Sequence, residues 1–254
     1  MELVHGSTPE ELAAQMEAAE ADLVLFNEMP CGPWLASQQD FEIEAARSSV
    51  QLHEELLARL AARRRGSALL TRPRLGRQRL VNEAVLVREG TVHAFHAKSR
   101  LPEEAGFYEQ SWFEAQPMLA QTATFEDMRL GALICTELMF TELACQLARN
   151  GCNVIVAPRC TGGADNWLIA GRMAALASGC YVLSSNRSGH APDGQRFGGG
   201  GFIIAPGGEV LAVTTPQQPV VSVTIDLNLV RAAQADYPCY LTLAPELAPG
   251  TVAN

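Results

Sequence analysis

From Leu138 to Asn186 the chain alternates two kinds of apolar pattern: "LMFTELACQLARNGC", then "NVIVAP", then, after a short loop, "DNWLIAGRMAALASG", then "CYVLSSN". The first and third space their apolar residues at helical intervals, whereas the second and fourth are short apolar runs of buried-strand type. A strand buried on both faces needs helices or a second sheet to cover it. This alternation therefore restricts the chain to an α/β layered architecture.

The upstream half follows the same logic. Thr8, Pro9 and Glu11 form an N-cap, a first-turn proline and a capping-box glutamate, opening the helix "STPEELAAQMEAAEA". "DLVLFNEMP" reads as a short strand, residues from about Asp40 to Arg64 as a long helix, and "SALLT" as a strand. "RLVNEAVLVREGTVHAFHAKS" reads as two alternating strands turning at Glu89 and Gly90. "TATFE" and "RLGALIC" form another strand pair, "GGGGFIIAPGGEVLAVT" a hairpin and "PVVSVTIDL" a last strand; a first strand is either missing or begins at "MELVH". No Pro/Gly/Ser-rich linker divides the sequence, so one domain over residues 1–254 with mixed sheets is expected.

Composition narrows the function. A formal net charge of −9 opposes a polyanionic partner, since nucleic-acid binding rests on clustered Lys and Arg. The basic runs "ARRRG" and "TRPRLGRQR" read as a helix end and the turn after it, on a solvated surface. No apolar run approaches the roughly 20 residues of a membrane span. The N-terminus shows no basic-then-apolar leader, and the seven cysteines are an odd number without a CxxC pair. Both features point to a reduced, cytoplasmic protein. "HAFH" has strand alternation without a nearby Cys pair, so His93 and His96 read as core or surface residues rather than zinc ligands. The run Gly198 to Gly201 precedes a strand rather than a helix, which opposes a phosphate loop.

Sites in open α/β sheets gather at the carboxyl ends of strands, and three such ends carry reactive groups. Glu28 follows "LVLFN", Lys98 follows "VHAFHA" and Cys135 follows "LGALI". A carboxylate can take a thiol proton, and an ammonium can stabilise both a thiolate and a developing oxyanion. Any one of the three is unremarkable; all three at strand ends make a complete set for nucleophilic catalysis. A Cys–His pairing with His96 or His190 is the alternative, without a matching nucleophile motif.

Four segments give the sequence a resemblance to the nitrilase, or carbon–nitrogen hydrolase, superfamily. They are "ADLVLFNEMP", "AKSRLPEEAGFYEQSWF", "GALICTELMFTELACQLARNGCNVIVAP" and "FGGGGFIIAPGGEVLA". The resemblance implies a four-layer αββα sandwich, a homodimer or higher homo-oligomer, and hydrolysis of a small-molecule amide through a thioester. It implies no metal and no organic cofactor. Carried over, Glu28 is the general base, Lys98 the electrostatic stabiliser and Cys135 the nucleophile. Glu109, or alternatively Glu104, is a second carboxylate beside the lysine, and the Thr136 backbone N–H is an oxyanion donor. An N-carbamoyl hydrolase or a nitrilase would use the same groups, and a catalytically inactive oligomeric protein would keep only the fold. The chain departs from the family at Asn27, Arg100, Thr136–Glu137 and Ala177–Ser178, which bears on the substrate more than on the chemistry. Tyr108, Trp112 and Trp167 are candidate pocket walls, and Arg159 is a candidate ligand for a substrate carboxylate. The tail from Tyr237 is expected to be extended and to dock across a subunit boundary.

Overall fold

Capping and patterning act where the sequence places them. A computed structural model describes residues 1, 3–4, 6–63, 65–163 and 165–242. Its first half contains β1 (Leu3–Val4), α1 (Pro9–Ala18), β2 (Leu23–Leu25), α2 (Ile43–Ala61), β3 (Ser67–Leu75), β4 (Leu80–Arg88), β5 (Thr91–Ala97), β6 (Glu103–Glu104), β7 (Phe107–Tyr108) and α3 (Glu109–Trp112). The second half adds β8 (Thr122–Phe125), β9 (Met128–Ala132), α4 (Thr141–Arg149), β10 (Val154–Arg159), α5 (Asn166–Ser178), β11 (Tyr181–His190), β12 (Arg196–Gly198), β13 (Phe202–Ile204), β14 (Val210–Val213), α6 (Leu227–Ala235) and α7 (Cys239–Thr242). The α1 capping box is formed: Glu11 N–H donates to Thr8 Oγ1, and Thr8 N–H donates to the Glu11 carboxylate.

The strands build two mixed sheets. The larger runs β14-β13-β11-β10-β9-β8, with β1 and β12 joined to β11, and its centre β9-β10-β11 is parallel. The smaller runs β2-β3-β4-β5, with β2 parallel to β3. Period-two alternation sends one set of side chains from each sheet into a shared core. Leu25, Leu69, Leu86 and Phe95 face Phe125, Leu130, Val154 and Val156 there. The opposite set meets the helices. Leu143, Leu147, Ala174 and Ala175 of α4 and α5 cover Ile155, Val182 and Ile204, while Leu12, Leu56 and Leu57 of α1 and α2 cover Val24, Leu70 and Val85. Each such fully buried Leu contributes roughly 1.5–3 kcal/mol relative to an exposed one. The order of layers is thus α-β-β-α. At Gly171 a Cβ would stand 2.6 Å from the Phe202 ring, so the close approach of α5 to the sheet requires glycine there.

Four expectations change. Thr71 to Leu75 continue β3 instead of forming a turn. Their cations are offset across the sheet, where Arg72 and Arg74 both bond the Glu83 carboxylate. Pro73 is tolerated because β2 pairs β3 only as far as Leu69, leaving no donor missed on that side. The segment "PVVSVTIDL" joins no sheet among the described residues. Its alternation still buries one face, with Val221, Val223 and Ile225 half-buried and Ser222 and Thr224 exposed. Periodicity reported an extended, one-sided chain, but a ladder also needs a free neighbouring edge. Finally, the stretch after Ile134 divides into a 3₁₀ turn, Cys135–Met139, followed by α4. Most of the expected tail lies outside the described residues; of its start, Cys239–Thr242 is a helical turn rather than extended. No helix among the described residues is long and apolar enough to cross a membrane.

A buried histidine on α2 makes the fold sensitive to acid. His53 Nδ1 lies 2.7 Å from the Ser49 carbonyl, and its Nε2 accepts the Cys31 N–H at 3.4 Å. Burial pulls its pKa down to about 4, with the Arg187 charge acting the same way and the backbone bonds opposing. Between its ordinary value of 6.5 and about 4, the unfolded chain takes a proton that the folded chain refuses. Stability held above pH 6.5 is therefore lost as pH falls toward 4, with a slope approaching about 1.4 kcal/mol per pH unit. Urea unfolding across this window should show the slope in the wild type and a slope smaller by about one proton in His53→Gln. Parallel profiles for the two proteins would contradict it.

Candidate active site

The chemistry-bearing segments meet where the parallel strands of both sheets end. Glu28 N–H donates to the Arg159 carbonyl at 3.2 Å, and Ser185 Oγ donates to the Phe26 carbonyl at 2.6 Å. These two bonds join the chain beyond β2 to the end of β10 and the middle of β11.

Lys98 is the centre of the cluster. Its Nζ donates to Glu28 Oε1 at 2.8 Å and to Glu109 Oε1 and Oε2 at 2.8 and 2.6 Å, so all three ammonium hydrogens are aimed at carboxylates. Lys98, Glu28 and Glu109 are each 1% exposed or less, a degree of burial at which water cannot substitute for these partners. Burial alone would pull the lysine down, but Glu109, Glu28 and Cys135 outweigh it and hold its pKa well above the ordinary value. The ammonium stays charged. Glu109 moves up to about 8, chiefly because burial disfavours its anion, with Glu28 adding to the effect against the pull of Lys98. Two carboxylates around one ammonium leave an excess negative charge when all are ionised, and Glu109 relieves it by holding a proton. Glu104, by contrast, lies exposed on the β6–β7 hairpin.

Glu28 is held by one oxygen only. Asn82 Nδ2 also donates to Oε1, at 2.8 Å, while the buried Oε2 has no partner among the described residues. A buried carboxylate oxygen without a donor is costly to maintain, and such groups persist where they serve as proton acceptors or ligand contacts. Asn82 is absent from the sequence-based site. Its signal was available: it is a lone amide inside the apolar run "RLVNEAVLV", at a strand position that is fully buried.

Cys135 sits on the first residue of the 3₁₀ turn, at φ 52°. A non-glycine residue in the left-handed region costs of order 1–3 kcal/mol, and the surrounding bonds must enforce it. Glu137 supplies them. Its carboxylate accepts Ile134 N–H at 2.8 Å, Ser99 N–H and Oγ at 2.7 and 2.6 Å, and bonds His96 Nε2 at 2.7 Å. The Cys135 turn and the chain next to Lys98 are thereby tied to one anion. Burial opposes that anion, and the bonds from His96 and Ser99 outweigh it, leaving the Glu137 pKa lowered. His96, read from the sequence as a core or surface residue, is buried and tied to this carboxylate; a β-bulge between Ala84 and Val85 helps set where it falls on β5.

Burial and then the Glu28 charge push the Cys135 thiol well above its ordinary pKa, whereas Lys98 and, more weakly, the Cys160 backbone act the other way. The resting sulfur is a protonated thiol. Thr136 stands in the first turn of the 3₁₀ segment, where N–H groups have no partner within the turn.

The pocket candidates separate. Arg159 is buried, with its guanidinium between the Trp167 and Phe202 rings at 5.3 and 5.1 Å. Trp112 is buried against Phe41, and its indole N–H donates to the Gln38 carbonyl at 2.7 Å. Tyr108 is half-buried in the β6–β7 hairpin. His190 is exposed at the end of β11, and His96 is committed to Glu137.

Comparison with known proteins adds descent to geometry. The sequence profile described as "Carbon-nitrogen hydrolase" matches residues 7–235. The chain belongs to the carbon–nitrogen hydrolase family. Among its relatives, a deaminated glutathione amidase of Escherichia coli O157:H7 is 27% identical over 233 residues, covering 87% of this chain and 85% of that protein. A human deaminated glutathione amidase is 25% identical over 179 residues, and a glutamine-dependent NAD(+) synthetase of Xanthomonas campestris is 30% identical over 152. The matched region spans only 55% of the human protein and 27% of the Xanthomonas one. Among solved structures, a carbon–nitrogen hydrolase from Helicobacter pylori superposes with a TM-score of 0.81 at 19% identity, over 94% of this chain and 93% of that one. A nitrilase-superfamily amidase from Nesterenkonia AN1 gives 0.70 at 20% identity, over 84% of each chain. These likenesses show the fold.

Proposed function

We propose that the protein hydrolyses the C–N bond of a small-molecule amide through an acyl thioester on Cys135. The observation that carries this reading is the unpartnered Glu28 Oε2, buried in the cluster that also acts electrostatically on the Cys135 sulfur. A base must present a free lone pair, and Glu28 has one that the rest of the cluster leaves open.

The steps follow from the charges. Glu28 Oε2 takes the Cys135 proton as the sulfur attacks the amide carbon, so no free thiolate need accumulate in the buried site. The carbonyl oxygen becomes an oxyanion held by Lys98 and the Thr136 N–H. Lys98 can turn one hydrogen from Glu109 toward it, because two of its three bonds go to that one carboxylate. Collapse of the tetrahedral species breaks the C–N bond, and the departing nitrogen takes the proton from Glu28. Glu28 then deprotonates a water, which attacks the thioester carbon; the acid leaves and the sulfur recovers its proton. Glu109 positions Lys98 throughout. The scheme calls on no cofactor, and the amidases among the relatives support the choice of amide.

A panel of aliphatic amides, N-carbamoyl amines and nitriles, followed by ammonia release, tests the substrate class. Turnover of amides is expected. Ammonia from carbamoyl compounds or nitriles alone would replace the amide reading while leaving the same residues in place.

A further inference from the structure

Arg159 is a buried cation that lacks an anion. It is 2% exposed, and no carboxylate lies within ion-pair distance of it among the described residues. Its partners are neutral: Nε donates to Ser184 Oγ at 2.7 Å, Nη2 to the Gly200 carbonyl at 2.7 Å, and Nη1 to Thr161 Oγ1 at a long 3.4 Å. A guanidinium carries five N–H donors, so these three acceptors leave two hydrogens unspent. The cation also lies over the Trp167 and Phe202 rings, which hold the fork fixed. Burial pulls its pKa down only to about 10, so it is cationic at neutral pH.

The residue is also part of the site's frame. Its carbonyl accepts the Glu28 N–H, and Cys135 is the ionisable group that acts electrostatically on the guanidinium. Buried charges in proteins are normally paired, because desolvation of an isolated one is costly. A pair that the protein does not complete can be completed by what it binds.

We propose that Arg159 is a substrate-recognition residue, and that the amide hydrolysed at Cys135 carries a carboxylate which bonds its guanidinium edge. This rests on the amide-hydrolase reading of the same site. Lys98 cannot supply the contact, since the one hydrogen it can release from Glu109 serves the oxyanion and its bond to Glu28 uses another. The chemical class is the monoamide of a short dicarboxylic acid, in which the anion and the scissile carbonyl are separated by a few carbons.

Paired substrates test this: glutaramate against pentanamide and succinamate against butanamide, each pair differing by a carboxylate in place of a methyl group. At least one anionic member is expected to exceed its neutral counterpart in kcat/KM by roughly 100-fold, as a charge-assisted bidentate contact provides. Arg159→Met should abolish that ratio mainly by lowering turnover of the anionic amide, and Arg159→Lys should retain part of it. Equal wild-type turnover within both pairs would overturn the proposal. So would an equal loss for both members in Arg159→Met, which would mark the residue as a stabiliser of the Cys135 thiolate or of the fold. A second readout needs no catalysis: calorimetric binding of glutarate and succinate to Cys135→Ala, with and without Arg159→Met. Binding that depends on Arg159 in a protein that hydrolyses no amide would sink the hydrolase reading and keep the anion site. Amide hydrolysis without Arg159-dependent binding or preference would do the reverse.

Discussion

Cys135→Ala is expected to abolish ammonia release, lowering kcat by about five to six orders of magnitude, while far-UV circular dichroism and the unfolding midpoint stay near wild type. The size follows from the scheme, because without the sulfur no covalent intermediate forms and the remaining groups have no nucleophile to assist. Folding tolerates the change because alanine removes one small buried atom and keeps the φ 52° backbone, which Glu137 enforces from outside. Cys135→Ser should be nearly as inactive. A serine hydroxyl is far less acidic than a thiol, and Glu28 would have to remove its proton in a site that already raises the pKa of the native thiol. Retention of more than a few per cent of wild-type turnover in Cys135→Ala, measured by ammonia release, would remove the thiol from the chemistry.

Glu28→Gln is expected to give the second-largest effect, a fall of roughly 10³–10⁴ in kcat, toward the upper end of what general-base catalysis contributes. The amide keeps the shape of the side chain, and its carbonyl oxygen can still accept from Asn82 and Lys98. What disappears is the basic lone pair on the second position, together with one negative charge. Removing that charge also relieves Glu109, so the pKa of about 8 on that residue should fall in the variant. Lys98→Met makes an instructive contrast. It strips two buried carboxylates of their shared cation, so it should lower stability by about 3–5 kcal/mol as well as activity. Comparing urea midpoints for the two variants separates the effects: Glu28→Gln near wild type, Lys98→Met far below. Comparable activity of wild type and Glu28→Gln would reject Glu28 as the base.

The site was legible in the sequence to the extent that its chemistry stands at strand ends. Apolar runs stopping at Glu28, Lys98 and Cys135 can be read from alternation, and the resemblance to the family supplied Glu109, the residue that bonds Lys98. The layers were equally readable, because buried strands and capped amphipathic helices leave period-specific marks. What escaped was any partnership across long sequence separations. Asn82 reaches Glu28 across 54 residues, and His96 reaches Glu137 across 41; neither distance has a local signature. The last expected strand failed for a related reason: alternation describes one chain, whereas a ladder belongs to two.

The account stands or falls on the covalent intermediate. Wild-type protein mixed with an excess of a turned-over amide, quenched in acid within its first turnovers and analysed intact by mass spectrometry, should gain the mass of one acyl group. That mass should map to the peptide containing Cys135, disappear on treatment with hydroxylamine, and be missing from Cys135→Ala. Steady ammonia release with the adduct on another residue, or with full turnover persisting when Cys135 is replaced, would contradict the thioester route.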